Sequence, residues 1–132
     1  MRYLTLATAL ALSAAPASAA EKAPAPLSDQ AREALKDYEP VGTTSCIPLS
    51  QVRSSQIVDQ TAIIYRVSSS RLYVNQPAGG RCSALRKDRA LVTRVVTGNL
   101  CSMDIVRVID PPMRMEYGSC PLGIFTEYQR KK

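Results

Sequence analysis

The sequence predicts a mainly β protein: a small antiparallel barrel or sandwich held by two disulfides and preceded by one short helix. Three observations carry this. Four cysteines follow an apparent export segment, which puts them in an oxidising compartment. Short β-branched runs are divided by clusters of Gly, Pro, Ser and Asn. Several of these runs are apolar on both faces, which suits a closed or double-layered sheet partly covered by loops and the helix, not one open sheet.

Residues 1–20 read as a signal peptide. Arg2 supplies the positive start, Tyr3 to Leu12 form an uncharged apolar stretch, and Ala17-Ser18-Ala19 offers the small residues a signal peptidase requires. Cleavage is expected after Ala19 or Ala20. A membrane anchor needs about 20 apolar residues, and Pro16 interrupts the run before that length. No cysteine begins the mature chain, so lipid modification is not expected and no anchor remains after cleavage. The expected location is periplasmic or secreted, and the remaining chain of about 112 residues suits one domain.

Residues 21–45 read as a flexible leader. Glu21 to Pro26 alternates Ala, Pro and charge, a tether composition. A short helix is expected over about 28–38, capped by Ser28, with Leu27, Ala31, Ala34, Leu35 and Tyr38 on a thin apolar face; Pro40 and Gly42 should end it. Residues 46–128 read as a disulfide-stapled β domain. Its clearest strand is Thr61 to Val67, with Ile63, Tyr65 and Val67 on one face and Ala62, Ile64 and Arg66 on the other. Ser68-Ser69-Ser70 turns it into Arg71 to Asn75. A third strand is expected over Ala90 to Val96, ended by Thr97-Gly98-Asn99. A fourth, Asp104 to Ile109, turns at Pro111-Pro112 and returns as Met113 to Tyr117. Residues 129–132 read as a frayed basic tail.

Four cysteines allow three pairings. A hairpin turning at Pro111-Pro112 brings Cys101 and Cys120 opposite each other beyond its open end, which predicts Cys101 with Cys120 and leaves Cys46 with Cys82. There is no Cys-x-x-Cys spacing and no histidine, so the cysteines read as framework, and neither thiol redox catalysis nor a zinc site is expected. No metal and no cofactor are expected.

The missing histidine also removes the Ser-His-Asp and Cys-His arrangements. Carboxylate chemistry is left, with Asp59, Asp88, Asp104, Asp110, Glu116 and Glu127 as candidates, paired as Asp59 with Asp104 or Asp104 with Glu116 in a cell-wall hydrolase. Such acids at turns more commonly cap backbone amides. Charge points elsewhere: residues 41–132 carry 13 basic and 6 acidic side chains, and arginine dominates. Arg53, Arg66, Arg71, Arg81, Arg86, Arg89, Arg94, Arg107 and Arg114 suit anionic partners, because a guanidinium grips phosphate or carboxylate through two hydrogen bonds. Arg66, Arg71, Arg81, Arg94 and Arg107 are the chosen anion-binding candidates, with Tyr65, Tyr73 and Tyr117 interleaved among them. The alternative is a solvated surface with half-buried tyrosines. The expected function is therefore non-enzymatic binding of an anionic polymer or polysaccharide, a lipid headgroup or an exported protein of the envelope. No nucleic-acid partner is expected. A lysozyme-inhibitor-like role fits the size, but two basic proteins repel on approach.

The segment Cys46-Ile-Pro-Leu-Ser-Gln-Val-Arg-Ser-Ser, with Ile57-Val58-Asp59, Leu72-Tyr73-Val74-Asn75, Gly80-Arg81-Cys82, Leu100-Cys101, Asp104-Ile105 and Gly118-Ser-Cys120-Pro-Leu-Gly123-Ile-Phe125, resembles an uncharacterised family of small exported four-cysteine proteins from Gram-negative bacteria. The resemblance spans nearly all of residues 41–128. It implies a periplasmic or secreted two-disulfide β domain with no assigned activity, cofactor or catalytic residue. Within it, Asn75 and Gly79-Gly80 look like turn formers, and Gly118 and Gly123 like positions needing positive φ or close approach.

Overall fold

The computed structural model describes residues 25–132, so the export-signal segment and the start of the tether lie outside the described residues. In chain order, helix α1 (Asp29–Ala34) is followed by strands β1 (Tyr38–Thr44), β2 (Cys46–Pro48), β3 (Ser54–Asp59), β4 (Ala62–Arg66), β5 (Arg71–Asn75), β6 (Ala90–Val92), β7 (Asn99–Cys101), β8 (Ile105–Ile109), β9 (Glu116–Pro121) and β10 (Phe125–Arg130). They build a five-stranded sheet in the order β1-β10-β5-β4-β3, a two-stranded sheet β2-β7 and a three-stranded sheet β6-β8-β9. All pairings are antiparallel. The fold is mainly β with one short helix, as expected, and takes the sandwich form: the large sheet ends at β1 and β3 and does not close into a barrel.

The alternation in β4 decides the layering. Ile63 and Tyr65 point into a core shared with the smaller sheets, where Phe125, Leu85, Leu100, Leu122, Val106 and Val108 are fully buried. Ala62 and Ile64 point the opposite way, to a second core with Val58, Leu72, Val74 and Tyr128. Helix α1 covers that second face through buried Ala31 and Leu35. Fully burying each large aliphatic or aromatic side chain contributes about 1.5–3 kcal/mol, so both faces of the large sheet matter to stability.

Several boundaries depart from the sequence reading. The helix is shorter than expected over 28–38, and Tyr38 already belongs to β1. Pro40 and Gly42 do not end the helix, which stops at Ala34; they sit inside an outer strand at a register shift. The leader therefore supplies a sheet edge, and the basic tail supplies its neighbour, since Tyr38 pairs with Arg130 and Glu39 with Gln129. The strand expected over Ala90 to Val96 stops at Val92. Met113 and Arg114 belong to a turn, not to the return strand, which is Glu116–Pro121.

That longer turn overturns the expected disulfide pairing. The bonds are Cys46–Cys101 and Cys82–Cys120, not Cys46 with Cys82 and Cys101 with Cys120. A tight turn at Pro111-Pro112 would have left Cys120 beyond the hairpin. With the loop spanning Asp110 to Met115 and a bulge beside Ile109, Cys120 lies opposite Val106 inside the β8-β9 ladder, out of reach of Cys101. Cys101 instead faces Cys46 across the β2-β7 pair. Cys82, delivered by the Gly79-Gly80 turn, meets Cys120 with a Cα–Cα distance of 5.9 Å.

Candidate functional site

Asp59 and Asp104 are engaged in the fold. Asp59 ends β3 and accepts hydrogen bonds from the Thr61 amide at 2.8 Å, from Thr61 Oγ1 at 2.6 Å and from Ser28 Oγ. Partial burial pushes its pKa up, but these bonds, with one from the Ala62 amide, outweigh it and hold the carboxyl below its ordinary value. Ser28 caps α1 through the Ala31 amide, so Asp59 ties the helix start to the β3-β4 turn. Asp104 accepts from the Cys101 amide at 2.7 Å and closes the β7-β8 turn. Both act as caps.

The Asp104 and Glu116 pair does not flank a common cleft. Glu116 pairs with Ile109 at the far end of β8 from Asp104, about 17 Å along a strand rising about 3.4 Å per residue. A glycosidase pair needs roughly 5–9.5 Å. Glu116 binds Arg107 at 3.0 Å and Asp88 binds Arg86 at 3.3 Å. Arg71 Nε lies 2.7 Å from Glu127, close but out of line for a hydrogen bond.

The five chosen arginines do not share one face. Arg66 ends β4 on the helix-facing side of the large sheet, whereas Arg71 lies on the opposite side, where it donates to Tyr73 Oη at 2.6 Å. Arg81 follows the glycine turn and donates to Gln60 Oε1 at 2.7 Å. Arg94 is exposed in the loop after β6, and Arg107 lies on the outward face of β8. Arginine and tyrosine are interleaved in space at one of the five, Arg71, and at Arg89 outside them. Arg71 lies 5.4 Å from the Tyr73 ring centre, and Arg89 stacks over Tyr117 at 3.8 Å. Tyr65 is not a surface partner: it is buried edge-on against Phe125, its hydroxyl has no hydrogen-bond partner among the described residues, and burial pushes its phenol pKa far up.

A groove of about 420 Å³ runs between α1, the β3-β4 turn and the loop after Leu85. Gln30, Val58, Asp59, Gln60, Leu85, Arg86, Lys87 and Asp88 line it, and Arg81 reaches its rim through Gln60. Lys87, Gln30 and Gln60 escaped the sequence reading. The charged run Arg86-Lys87-Asp88-Arg89 was the available signal, but nothing in it reveals that α1 forms the opposite wall.

Asn75 is corrected from a turn former to a buried clamp: its amide donates to Gly123 O at 2.7 Å and accepts from Gly123 N at 3.1 Å. Gly123 is indeed a close-approach position, since a Cβ there would lie 2.2 Å from the Gln76 carbonyl oxygen. Gly118 has the expected positive φ, +129°.

These features define a small β sandwich stapled by two disulfides, which marks an oxidising, extracytoplasmic environment. Among the described residues no helix is long and apolar enough to cross a membrane, and no cluster of three acidic or cysteine side chains is arranged to hold a metal. Comparison with protein-family models, curated proteins and solved structures found no match.

Proposed function

We propose that this chain is a periplasmic or secreted, non-enzymatic protein that binds an anionic partner of the cell envelope through its arginine-bearing loops. One observation carries the reading: most of the arginines of the β domain have no carboxylate beside them among the described residues. Of the nine arginines from Arg53 to Arg114, only Arg71, Arg86 and Arg107 have a carboxylate within 4.0 Å among the described residues. Asp59 and Asp104 accept from backbone amides, and neither has an arginine within 4.0 Å among the described residues. Uncompensated guanidinium groups raise the local concentration of anionic ligands and grip phosphate or carboxylate oxygens on contact.

The test is retention of the exported protein on isolated cell wall and on outer-membrane lipid across a salt series. Retention at low salt should fall steeply as salt is raised, because exposed charges are screened within about 8–10 Å at physiological ionic strength. Replacing Arg81, Arg86 and Lys87 together by Ser should lower low-salt retention by about a hundredfold, on the basis of about 1 kcal/mol per cation near an anionic surface. Absence of retention at the lowest salt on either material would remove the reading.

A further inference from the structure

We propose that the tip of the β8-β9 hairpin docks on an anionic lipid surface, an inference that rests on the proposed anionic partner and names its class. Seven consecutive residues, Pro111 to Tyr117, are exposed, and they are not the polar set a solvated turn would use. Met113 is 64 % exposed, Met115 48 % and Tyr117 41 %.

The tip is held in shape. Asp110 N donates to Met115 O at 2.8 Å and Arg114 N donates to Asp110 O at 2.7 Å, closing the loop twice. Arg114 adopts a φ of +53°, a left-handed conformation that is unfavourable for a bulky residue, and the Pro111-Pro112 pair limits the alternatives. Flexible thioethers are thus presented on a fixed turn.

Charge complementarity selects the occupant. Arg114 lies between the two methionines and Arg89 stacks on Tyr117, while Arg107 is paired with Glu116 at 3.0 Å; with Asp110 the neighbourhood still holds three cations against two acids. A soluble polyanion would be served by the arginines alone and gives no role to Met113 and Met115. A lipid surface uses both: apolar side chains enter the boundary between headgroups and acyl chains, tyrosine sits at that boundary, and arginines contact the phosphates.

The chain contains no tryptophan, so Met113→Trp introduces a single reporter. With the exported protein, its emission should shift to the blue on vesicles of phosphatidylcholine containing phosphatidylglycerol, and not on phosphatidylcholine alone. Val41→Trp, on the outer strand β1 far in sequence from the tip, should not shift. Met113→Ser with Met115→Ser, checked for folding by circular dichroism, should lower vesicle binding by about tenfold while leaving binding to a soluble anionic polysaccharide unchanged. Polysaccharide binding with no vesicle binding, or equal vesicle binding by the double variant, would overturn the lipid inference and leave the anionic-partner reading standing. Failure to bind either probe at low salt would overturn both.

Discussion

Gly123 and Asn75 show how one pair of residues closes the sandwich. Asn75 is fully buried at the end of β5, so its amide must find partners, and it finds both in the backbone of Gly123 just before β10. Only glycine allows that approach. Gly123→Ala should destabilise the protein by about 2 kcal/mol or more, read as a lower urea midpoint, because the contacted atom is a backbone carbonyl that cannot swing aside. Asp59 makes a different kind of contribution, one that depends on pH. Its folded pKa is depressed, so its contribution is fully present above the unfolded carboxylate value and disappears as pH falls through the folded one. Asp59→Asn should therefore lower stability near neutral pH and flatten the loss of stability on acidification. An unchanged slope in the pH-dependent urea midpoints would contradict this role. The sequence marked Gly123 as a close approach but could not show its partner, because Asn75 is 48 positions away.

At the scale of elements, legibility followed local pattern. Thr61 to Val67 and Arg71 to Asn75 announced themselves because alternation and a serine turn are local signals, and both match strands closely. Strand β1 was hidden because Pro40 and Gly42 are read as breakers, and they are tolerated only through a register shift beside β10. The disulfide pairing is not legible locally, because hairpin register depends on loop length, and a few extra turn residues place Cys120 within the ladder. A chain beginning at Cys46 tests the role of the leader. It lacks α1 and β1, and so exposes Val58, Ile64, Leu72 and Val74 on one sheet face. Such a chain should bind a hydrophobic dye and unfold at lower urea than the longer chain; identical unfolding would show that the leader is dispensable.

For the whole molecule, the disulfides and the large sheet divide the work of stabilisation. Both disulfides lie in the layer of short strands, where β2, β6 and β7 have three residues each and little ladder to hold them. Closing loops of 55 and 38 residues contributes about 4 kcal/mol each in the chain-entropy account. The five-stranded sheet has no covalent link and relies on burial on both faces. Composition made the positive charge and the cysteine framework legible, but not the grouping of side chains. The groove beside α1 and the tip of the β8-β9 hairpin each join residues whose proximity is created by topology.

The position of β10 sets an order in time. It is the last strand in the chain, yet it lies between β1 and β5 and gives β1 its pairing in the sheet. A chain delivered N-terminus first cannot complete its largest sheet until residues 125–130 have arrived, however long the earlier strands have been available. Until then β1 has no ladder to join, and the edge of β5 stays open. The architecture thus makes completion of the largest sheet depend on residues 125–130, which join its N-terminal strand to the rest.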